Sequence, residues 1–218
     1  MPRSHPSSHD GPYASYVDLF IGLIFLFLII VCLLILQQGM AKAESEQRVG
    51  AYVKGLAKEL TEQGISVEAH GSVLRFPDGI LFATKDYELS PQAETRVRKL
   101  RGLLRRDALA PKNADCTGGC KAPLAAFEGI VVEGHADGRP FTGTGPVRDN
   151  LALSVLRASA VHRELIGAGK DGWPRGGLDP AFVSAAGFGA SRPLPGTAKD
   201  RDEPTNRRIE IRFLLKDQ

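Results

Sequence analysis

The chain has 218 residues, of which 43% are hydrophobic and 24% charged, and its formal net charge is +3. This balance excludes an acidic disordered tail and a strongly basic nucleic-acid-binding protein, so no nucleic-acid partner is expected. The apolar residues are unevenly distributed, because Leu19 to Leu36 form an eighteen-residue run in which only Gly22 lies outside the apolar set.

The run from Leu19 to Leu36 predicts a single transmembrane helix. Its eighteen residues would rise about 27 Å, close to the thickness of about 30 Å of a bilayer's hydrocarbon core. A cleaved signal peptide is the alternative, since Ala41-Lys42-Ala43 resembles a processing site. The run is longer than a usual signal-peptide core, and Met1 to Ser15 carries only Arg3 against Asp10, so we prefer the transmembrane helix.

The positive charges around the run do not settle its orientation. Arg3 alone precedes the run, whereas four basic residues follow it: Lys42, Arg48, Lys54 and Lys58. Counted literally, the positive-inside rule directs the long C-terminal part to the cytoplasm. The rule weakens for long translocated domains, so charge alone leaves the side undecided.

Asp18 is the ionisable residue that abuts the apolar run. Removal from water disfavours a charged carboxylate, which brings its neutral and charged forms close in energy, as a proton carrier requires. The structural alternative is an interfacial helix end whose carboxylate reaches water at small cost. The residues by themselves leave both interpretations open.

Residues 37–64 predict a helical linker with one apolar stripe. The stripe recurs at helical spacing and consists of Val49, Val53, Leu56 and Leu60. A single stripe needs a partner, which would be the same helix of a second copy or the soluble domain itself.

From Ile65 onward the pattern alternates between strands and helices. Strands are predicted at Val67 to Phe76, Glu128 to Glu133, Phe182 to Gly187 and Arg208 to Leu215, the last with outward charges and inward Ile and Phe. Pro77 to Phe82 is predicted as a turn and a short extended piece. Helices are predicted from Ser90-Pro91, with Ala93, Val97, Leu100 and Leu104 on one face, and over Ser154 to Ile166. This order predicts the α/β class, with helices packed on one sheet.

The three cysteines favour an oxidising compartment. Cys32 lies in the apolar run, whereas Cys116 and Cys120 flank two glycines that would allow a local disulfide. Such a bridge requires an oxidising environment. Two free thiols and half of a zinc site are the alternatives, although no second CxxC or histidine pair completes a zinc site.

The enzyme motifs that we sought are missing or incomplete. The sequence contains no GxSxG and no HExxH motif. A phosphate-binding loop around Gly169-Lys170 would need glycine at position 164 and a hydroxyl residue at position 171, which are Glu164 and Asp171. We therefore expect neither enzymatic activity nor a cofactor.

Asp137 and Arg157 are the strongest candidates for ligand contacts in the C-terminal part. Asp137 follows a predicted strand and Arg157 lies one turn into a predicted helix, so the two could converge across the intervening loop. A carboxylate and a guanidinium together suit a zwitterionic ligand, in which Asp137 holds an ammonium and Arg157 a carboxylate. A structural salt bridge between the two residues is the alternative.

Several spaced motifs resemble the signature of OmpA-like peptidoglycan-binding domains over about residues 65–215. The resemblance rests on Gly134-His135-Ala136-Asp137, Asn150, Leu153-Ser154, Arg157-Ala158, Val161, Gly187-x-Gly189, Pro193 and Asn206-Arg207-Arg208-Ile209-Glu210. It implies that Asp137 and Arg157 bind the diaminopimelate of peptidoglycan, with Asn150 and Arg208 shaping the pocket. Ala136, where Thr is common, and a longer loop before Asn150 depart from the family pattern.

The segment Ser15 to Val31 resembles the membrane helix of B subunits of ion-driven motors, both the flagellar MotB kind and the ZorB kind of Zorya anti-phage systems. In both groups an Asp follows an aromatic-small pair, as Asp18 follows Tyr16-Val17 here. The resemblance implies that Asp18 carries the driving ion, with a sodium ion as the alternative to a proton. It also implies a homodimer inside a pentamer of multi-span MotA- or ZorA-like subunits.

Taken together, the resemblances imply an inner-membrane protein with a cytoplasmic N-terminus and a periplasmic C-terminal domain. The expected organisation is a flexible segment at 1–14, a transmembrane helix at 15–38, a helical linker at 39–64 and an OmpA-like α+β sandwich of βαβαββ order at 65–218. The short helical connection favours a Zorya-like motor over a flagellar stator. A passive wall tether without ion traffic is the third alternative.

Overall fold

The computed structural model describes residues 11–77, 79–83, 86–108, 127–141, 147–168, 176–197 and 203–216. The chain divides into two compact units, Met1–Ser45 and Glu46–Gln218.

The first helix, α1, extends from Gly11 to Glu62. In the first unit its large apolar side chains are mostly exposed, such as Phe25 at 64% and Phe27 at 64%. The apolar stretch has a mean hydropathy of 3.5 and no buried residues, so α1 is long and apolar enough to cross a membrane. This lack of burial sets it apart from the core helix of a soluble domain.

The second unit contains a five-stranded mixed sheet. Its strands are β1 (Glu68–His70), β2 (Val73–Pro77), β3 (Phe127–His135), β4 (Val183–Gly187) and β5 (Arg208–Leu215). They are arranged in the order β1-β2-β5-β3-β4. The β3–β4 pair is parallel and the other pairs are antiparallel. A parallel pair needs a crossover connection, which helix α3 (Asn150–Leu165) provides.

The two α-helices that begin within this unit start at side-chain caps. Helix α2 (Pro91–Ala108) follows Ser90, whose Oγ accepts a hydrogen bond of 3.2 Å from the Ala93 amide, as the sequence predicts. Helix α3 begins one turn before the predicted Ser154, because Asp149 Oδ1 accepts a hydrogen bond of 2.7 Å from the Ala152 amide. The start of α3 is therefore set by the capping residue Asp149, which is not part of the apolar pattern.

The core joins one face of the sheet to α2, α3 and the last part of α1. The predicted α2 face of Ala93, Val97, Leu100 and Leu104 is buried. The α1 stripe is buried as well, with exposures between 0% and 3% for Val49, Val53, Leu56 and Leu60. The stripe belongs to the same core cluster as the sheet residues. Of the two partners considered for it, the domain itself is the one observed.

Two local predictions are wrong, and a third did not foresee burial. The segment Val67 to Phe76 is a hairpin of two strands and not one strand, because Gly71 turns the chain with φ 56°. The described residues 79–82 form a turn and irregular chain without the predicted extended piece. In β5 the charged residues Arg208 and Glu210 do lie on the face opposite Ile209 and Ile211, but they are buried there, at 6% and 4% exposure.

Candidate functional site

The close approach of α3 to β3 brings the candidate residues near one another. A Cβ atom on Gly134 would lie 2.1 Å from the backbone oxygen of Ser154, so only glycine permits this packing. The Ser154 hydroxyl accepts a hydrogen bond of 2.9 Å from the Gly189 amide and donates to the Leu151 carbonyl. These contacts fix the end of β3, from which Asp137 follows, against the helix that carries Arg157.

Asp137 is buried beside an arginine that the sequence analysis did not single out. Its carboxylate oxygen Oδ2 accepts a hydrogen bond of 3.0 Å from Arg207 Nη1. The Asp137 side chain is 6% exposed and that of Arg207 25%. The carboxylate therefore has a guanidinium as counter-ion within the protein.

Arg157 is held by the chain between β2 and α2. Its Nε donates a hydrogen bond of 2.7 Å to the Asp86 carbonyl, and its Nη2 donates one of 3.2 Å to the Ala83 carbonyl. The guanidinium carbon lies 5.2 Å from the centroid of the Phe82 ring, within the range of a cation–π contact. These contacts orient a cation that is only 6% exposed.

Asn150 stabilises the loop that follows Asp137. Its Nδ2 donates hydrogen bonds to the carbonyls of Asp137, at 3.1 Å, and Arg139, at 2.8 Å. Because Asn150 is also the first residue of α3, it connects the loop to that helix. The pocket-shaping role that the resemblance implies for Asn150 stays a prediction.

Arg208 lies deeper than Arg207 and makes several contacts within the domain. Its Nε donates a hydrogen bond of 2.7 Å to Glu210 Oε1, and its other nitrogens donate to the carbonyls of Asn206 and Arg192. Burial by itself raises the pKa of Glu210, but hydrogen bonds and charge from Arg208 and Arg75 outweigh it and lower that pKa.

The arginine side chains of the site line one small pocket. Its lining includes Phe82, Arg157, Arg207 and Arg208, together with Pro77 and Leu81. Guanidinium groups bind carboxylates with charge-assisted, often bidentate, hydrogen bonds. The pocket therefore offers cationic groups to an anion, and the buried carboxylate of Asp137 lies directly behind it, hydrogen-bonded to the lining residue Arg207. Asn150 lines a second, more open pocket with Phe141, Leu151 and Phe188.

The sheet face opposite the helices carries a buried ion-pair network. Glu133 accepts two hydrogen bonds from Arg212, of 2.8 and 3.0 Å, and Glu210 binds Arg75 at 2.9 Å. Burial by itself raises the pKa of Glu133, but His135 and Arg212 lower it to about 2. The sequence analysis missed this network, although the alternating charges of Arg208, Glu210 and Arg212 in β5 are the signal that could have indicated it.

Glu133, His135 and Glu210 are of metal-ligand type, and their ligand atoms lie within 4.8 Å of one another. His135 Nε2 lies 3.7 Å from an oxygen of each glutamate, which is longer than a hydrogen bond. Arginines already neutralise both carboxylates, so a divalent cation would add charge to a cluster that needs none. The arrangement fits an ion-pair network better than a metal centre.

Three predicted site residues remain, namely Asp18, Cys116 and Cys120. Asp18 is exposed on α1 in the first unit. Cys116 and Cys120 fall outside the described residues, so their disulfide stays a prediction. The structure thus brings Arg157 and Arg208 to one pocket and connects Asp137 to it through Arg207.

Comparison with solved structures identifies the fold. A MotB-like protein from Desulfovibrio vulgaris superposes with a TM-score of 0.56 at 24% identity, over 79% of this chain and 96% of that one. The cell wall anchor of the T6SS from Pseudomonas aeruginosa matches with a TM-score of 0.50 at 22% identity, over 76% of this chain and 97% of that one. These similarities confirm the predicted mixed α/β fold.

Sequence comparison reaches less of the chain. An outer membrane protein of Gluconacetobacter diazotrophicus is 37% identical over 83 residues, which are 38% of this chain. The match spans 20% of that protein's length. No family model matches the chain.

Proposed function

We propose that this chain is the B-type subunit of an ion-driven inner-membrane motor, which its C-terminal domain anchors to peptidoglycan. The observation that carries the proposal is the combination of two parts in one chain. The first is the unburied apolar stretch of α1, which Asp18 directly precedes, and the second is a domain with the fold of a MotB-like protein. The alternatives are a flagellar stator subunit and a passive wall tether.

The wall-binding role rests on the chemistry of the pocket. Arg157 is oriented by two backbone carbonyls and suits a carboxylate, and the buried Asp137 suits an ammonium group. A centre with both groups occurs in diaminopimelate, the residue that the OmpA-like resemblance implies as ligand. The similarity to a cell wall anchor supports the same role. Asn150 and Arg208 would shape the pocket.

The motor role rests on Asp18. A carboxylate at the edge of an apolar helix is costly to keep charged when other subunits enclose it. It would take up a proton, or a sodium ion as the alternative, from the outer side and release it inside. One elementary charge crossing 100 mV provides about 2.3 kcal/mol, enough to bias rotation between the ring and a pair of B helices. The contact of the C-terminal domain with peptidoglycan would hold the B subunits still relative to the ring.

A Zorya-like defence motor is our preferred assignment within this class. Helix α1 runs without interruption from Gly11 to Glu62, and β1 begins at Glu68. Flagellar stators carry a longer, loosely ordered linker, so the short helical connection supports a non-flagellar motor. The N-terminus would lie in the cytoplasm and the domain in the periplasm.

Sedimentation with purified peptidoglycan tests the anchor. The full-length chain in detergent should sediment with peptidoglycan that contains diaminopimelate, and Arg157→Ala should remain in the supernatant. Arg163→Ala is the matched control, because Arg163 is an exposed arginine on the same helix. Equal sedimentation of wild type and Arg157→Ala would contradict the assigned pocket.

Purification from native membranes tests the motor. We expect a multi-span ring-forming subunit to co-purify with two copies of this chain. Recovery of this chain without such a subunit would leave the passive tether as the better explanation. Identification of the partner as a flagellar protein or as part of a defence system would decide between the two motor types.

A further inference from the structure

The pair formed by Asp137 and Arg207 has a consequence for ligand choice. Arg207 Nη1 lies 3.0 Å from Asp137 Oδ2, and the arginine is the more exposed partner, at 25% against 6%. Arg207 also lines the pocket that contains Arg157. A ligand that enters this pocket therefore meets the Arg207 guanidinium before it reaches the Asp137 carboxylate.

This arrangement conflicts with a simple docking of an ammonium group onto Asp137. A buried carboxylate without a cation is strongly unfavourable, so the ligand-free protein needs a counter-ion at this position. Arg207 provides it. We propose that the ligand's ammonium group displaces Arg207 from Asp137, which makes Arg207 a specificity-determining residue of the pocket. This inference rests on the proposed function, because it assumes that the pocket binds diaminopimelate.

The surroundings allow Arg207 to move while the pocket stays in place. The preceding residue, Asn206, is buried, and its Oδ1 accepts a hydrogen bond of 2.8 Å from the Leu194 amide. The backbone before Arg207 is thereby held. The Arg207 side chain is a quarter exposed, so its guanidinium can turn into water, where it is well solvated.

The Arg157 guanidinium, in contrast to that of Arg207, is held in a fixed orientation by the protein. Two backbone carbonyls, those of Asp86 and Ala83, accept hydrogen bonds from its guanidinium, so its orientation is set before a ligand arrives. The pocket thus combines a fixed cation for a carboxylate with an exchangeable cation over Asp137. A ligand that carries both an ammonium and a carboxylate satisfies both elements.

The exchange gives selectivity. A ligand that carries only carboxylates cannot replace Arg207 and leaves the Asp137–Arg207 pair closed. Diaminopimelate and pimelate are suitable probes, because they have the same carbon chain and the same two carboxylates and differ only in the amino groups. Wild type should bind diaminopimelate and discriminate against pimelate.

Calorimetry on the full-length chain in detergent tests the exchange. Arg207→Gln removes the competing charge, and it should tighten diaminopimelate binding about three- to tenfold without tightening pimelate binding. Arg207→Lys keeps the charge but loses the planar fork, so it should tighten binding by a smaller factor. Arg98→Gln controls for net charge, since Arg98 pairs with Glu94 and Glu164 on the α2 and α3 surfaces.

The possible outcomes separate the proposals. Weaker diaminopimelate binding by both Arg207 variants would show that Arg207 contacts the ligand directly. Unchanged diaminopimelate binding would show that Arg207 is not displaced. Either result overturns the exchange, while the wall-binding function stands. If the wild-type chain binds neither peptidoglycan nor diaminopimelate, the proposed function fails and the exchange fails with it. Thermal unfolding of each variant verifies that it is folded. If Arg207→Gln does not fold, the diaminopimelate affinity of Arg207→Lys decides the question.

Discussion

The Tyr52 hydroxyl donates a hydrogen bond of 3.1 Å to Asp107 Oδ2, and both residues are buried. This contact joins α1 to the last turn of α2. Burial raises the pKa of Tyr52, and the charge of Asp107 raises it further, so the phenol stays a donor. Arg106 reinforces the contact, because it binds both Asp107 and Glu59. The part of α1 that follows Glu46 is therefore a structural element of the second unit.

Replacement of Tyr52 by phenylalanine should destabilise the second unit by about 1–2 kcal/mol, because Asp107 loses a hydrogen-bond donor in a buried position. Denaturant unfolding of the full-length chain, followed by circular dichroism, measures the effect. The aromatic contacts with Phe127 and Phe213, at 5.5 and 5.7 Å between ring centroids, stay in place. Unchanged stability would mean that the hydrogen bond contributes nothing beyond packing.

Leu60→Ala should cost about 2–5 kcal/mol, because Leu60 is 0% exposed and its truncation leaves a cavity. Leu151→Ala is the control, since Leu151 is 54% exposed and should change stability by less than about 0.5 kcal/mol. The difference between the two unfolding free energies tests whether the α1 stripe belongs to the domain core. Similar small effects would place the stripe outside it.

Gly134→Ala should destabilise the domain by about 1–3 kcal/mol or more, since the new Cβ atom would lie 2.1 Å from the backbone oxygen of Ser154. The separation of α3 from β3 that relieves the clash would also move Arg157 away from Asp137. Binding to peptidoglycan should therefore weaken in any folded variant. Gly102→Ala on α2 is the control, because a Cβ atom there meets nothing within 4 Å.

The free energy of unfolding should fall at acidic pH, because the ion pairs of Glu133 depend on its charge. The pKa of Glu133 is lowered from its usual 4.5 to about 2 in the folded chain, so its stabilising contribution is complete above about 4.5. As the pH falls toward about 2, the unfolded state takes up the proton first and the contribution is lost. Unfolding free energies measured across this range should slope less in Glu133→Gln than in wild type. An identical slope would contradict the ion pair with Arg212.

Asp18→Asn should abolish ion conduction by the complex while leaving its assembly and peptidoglycan binding unchanged, because the amide cannot exchange a proton at this position. Proton flux into liposomes that contain the complex purified with its partner measures the effect. Glu46→Gln removes an exposed carboxylate from the same helix and is the matched control. Full conduction by Asp18→Asn would show that Asp18 does not carry the ion.

Local signals predicted α2 well and the surroundings of the candidate site poorly. Ser90 immediately precedes the eighteen-residue helix that contains Pro91 and the apolar face, so one short segment contains the information. The Asp137–Arg207 pair joins residues 70 positions apart, and no local pattern specifies it. In β5, alternation correctly separated the two faces, but it could not show that Arg208 and Glu210 are buried on the second one.

The sequence by itself determined the apolar helix, the order of most strands and helices, and the residue types available at the site, since hydrophobic periodicity and helix caps act over a few neighbouring positions. Only the tertiary structure decided that the α1 stripe packs into the domain and that Arg207 covers Asp137. Those contacts depend on which distant side chains the sheet register and the glycine-dependent approach of α3 bring together.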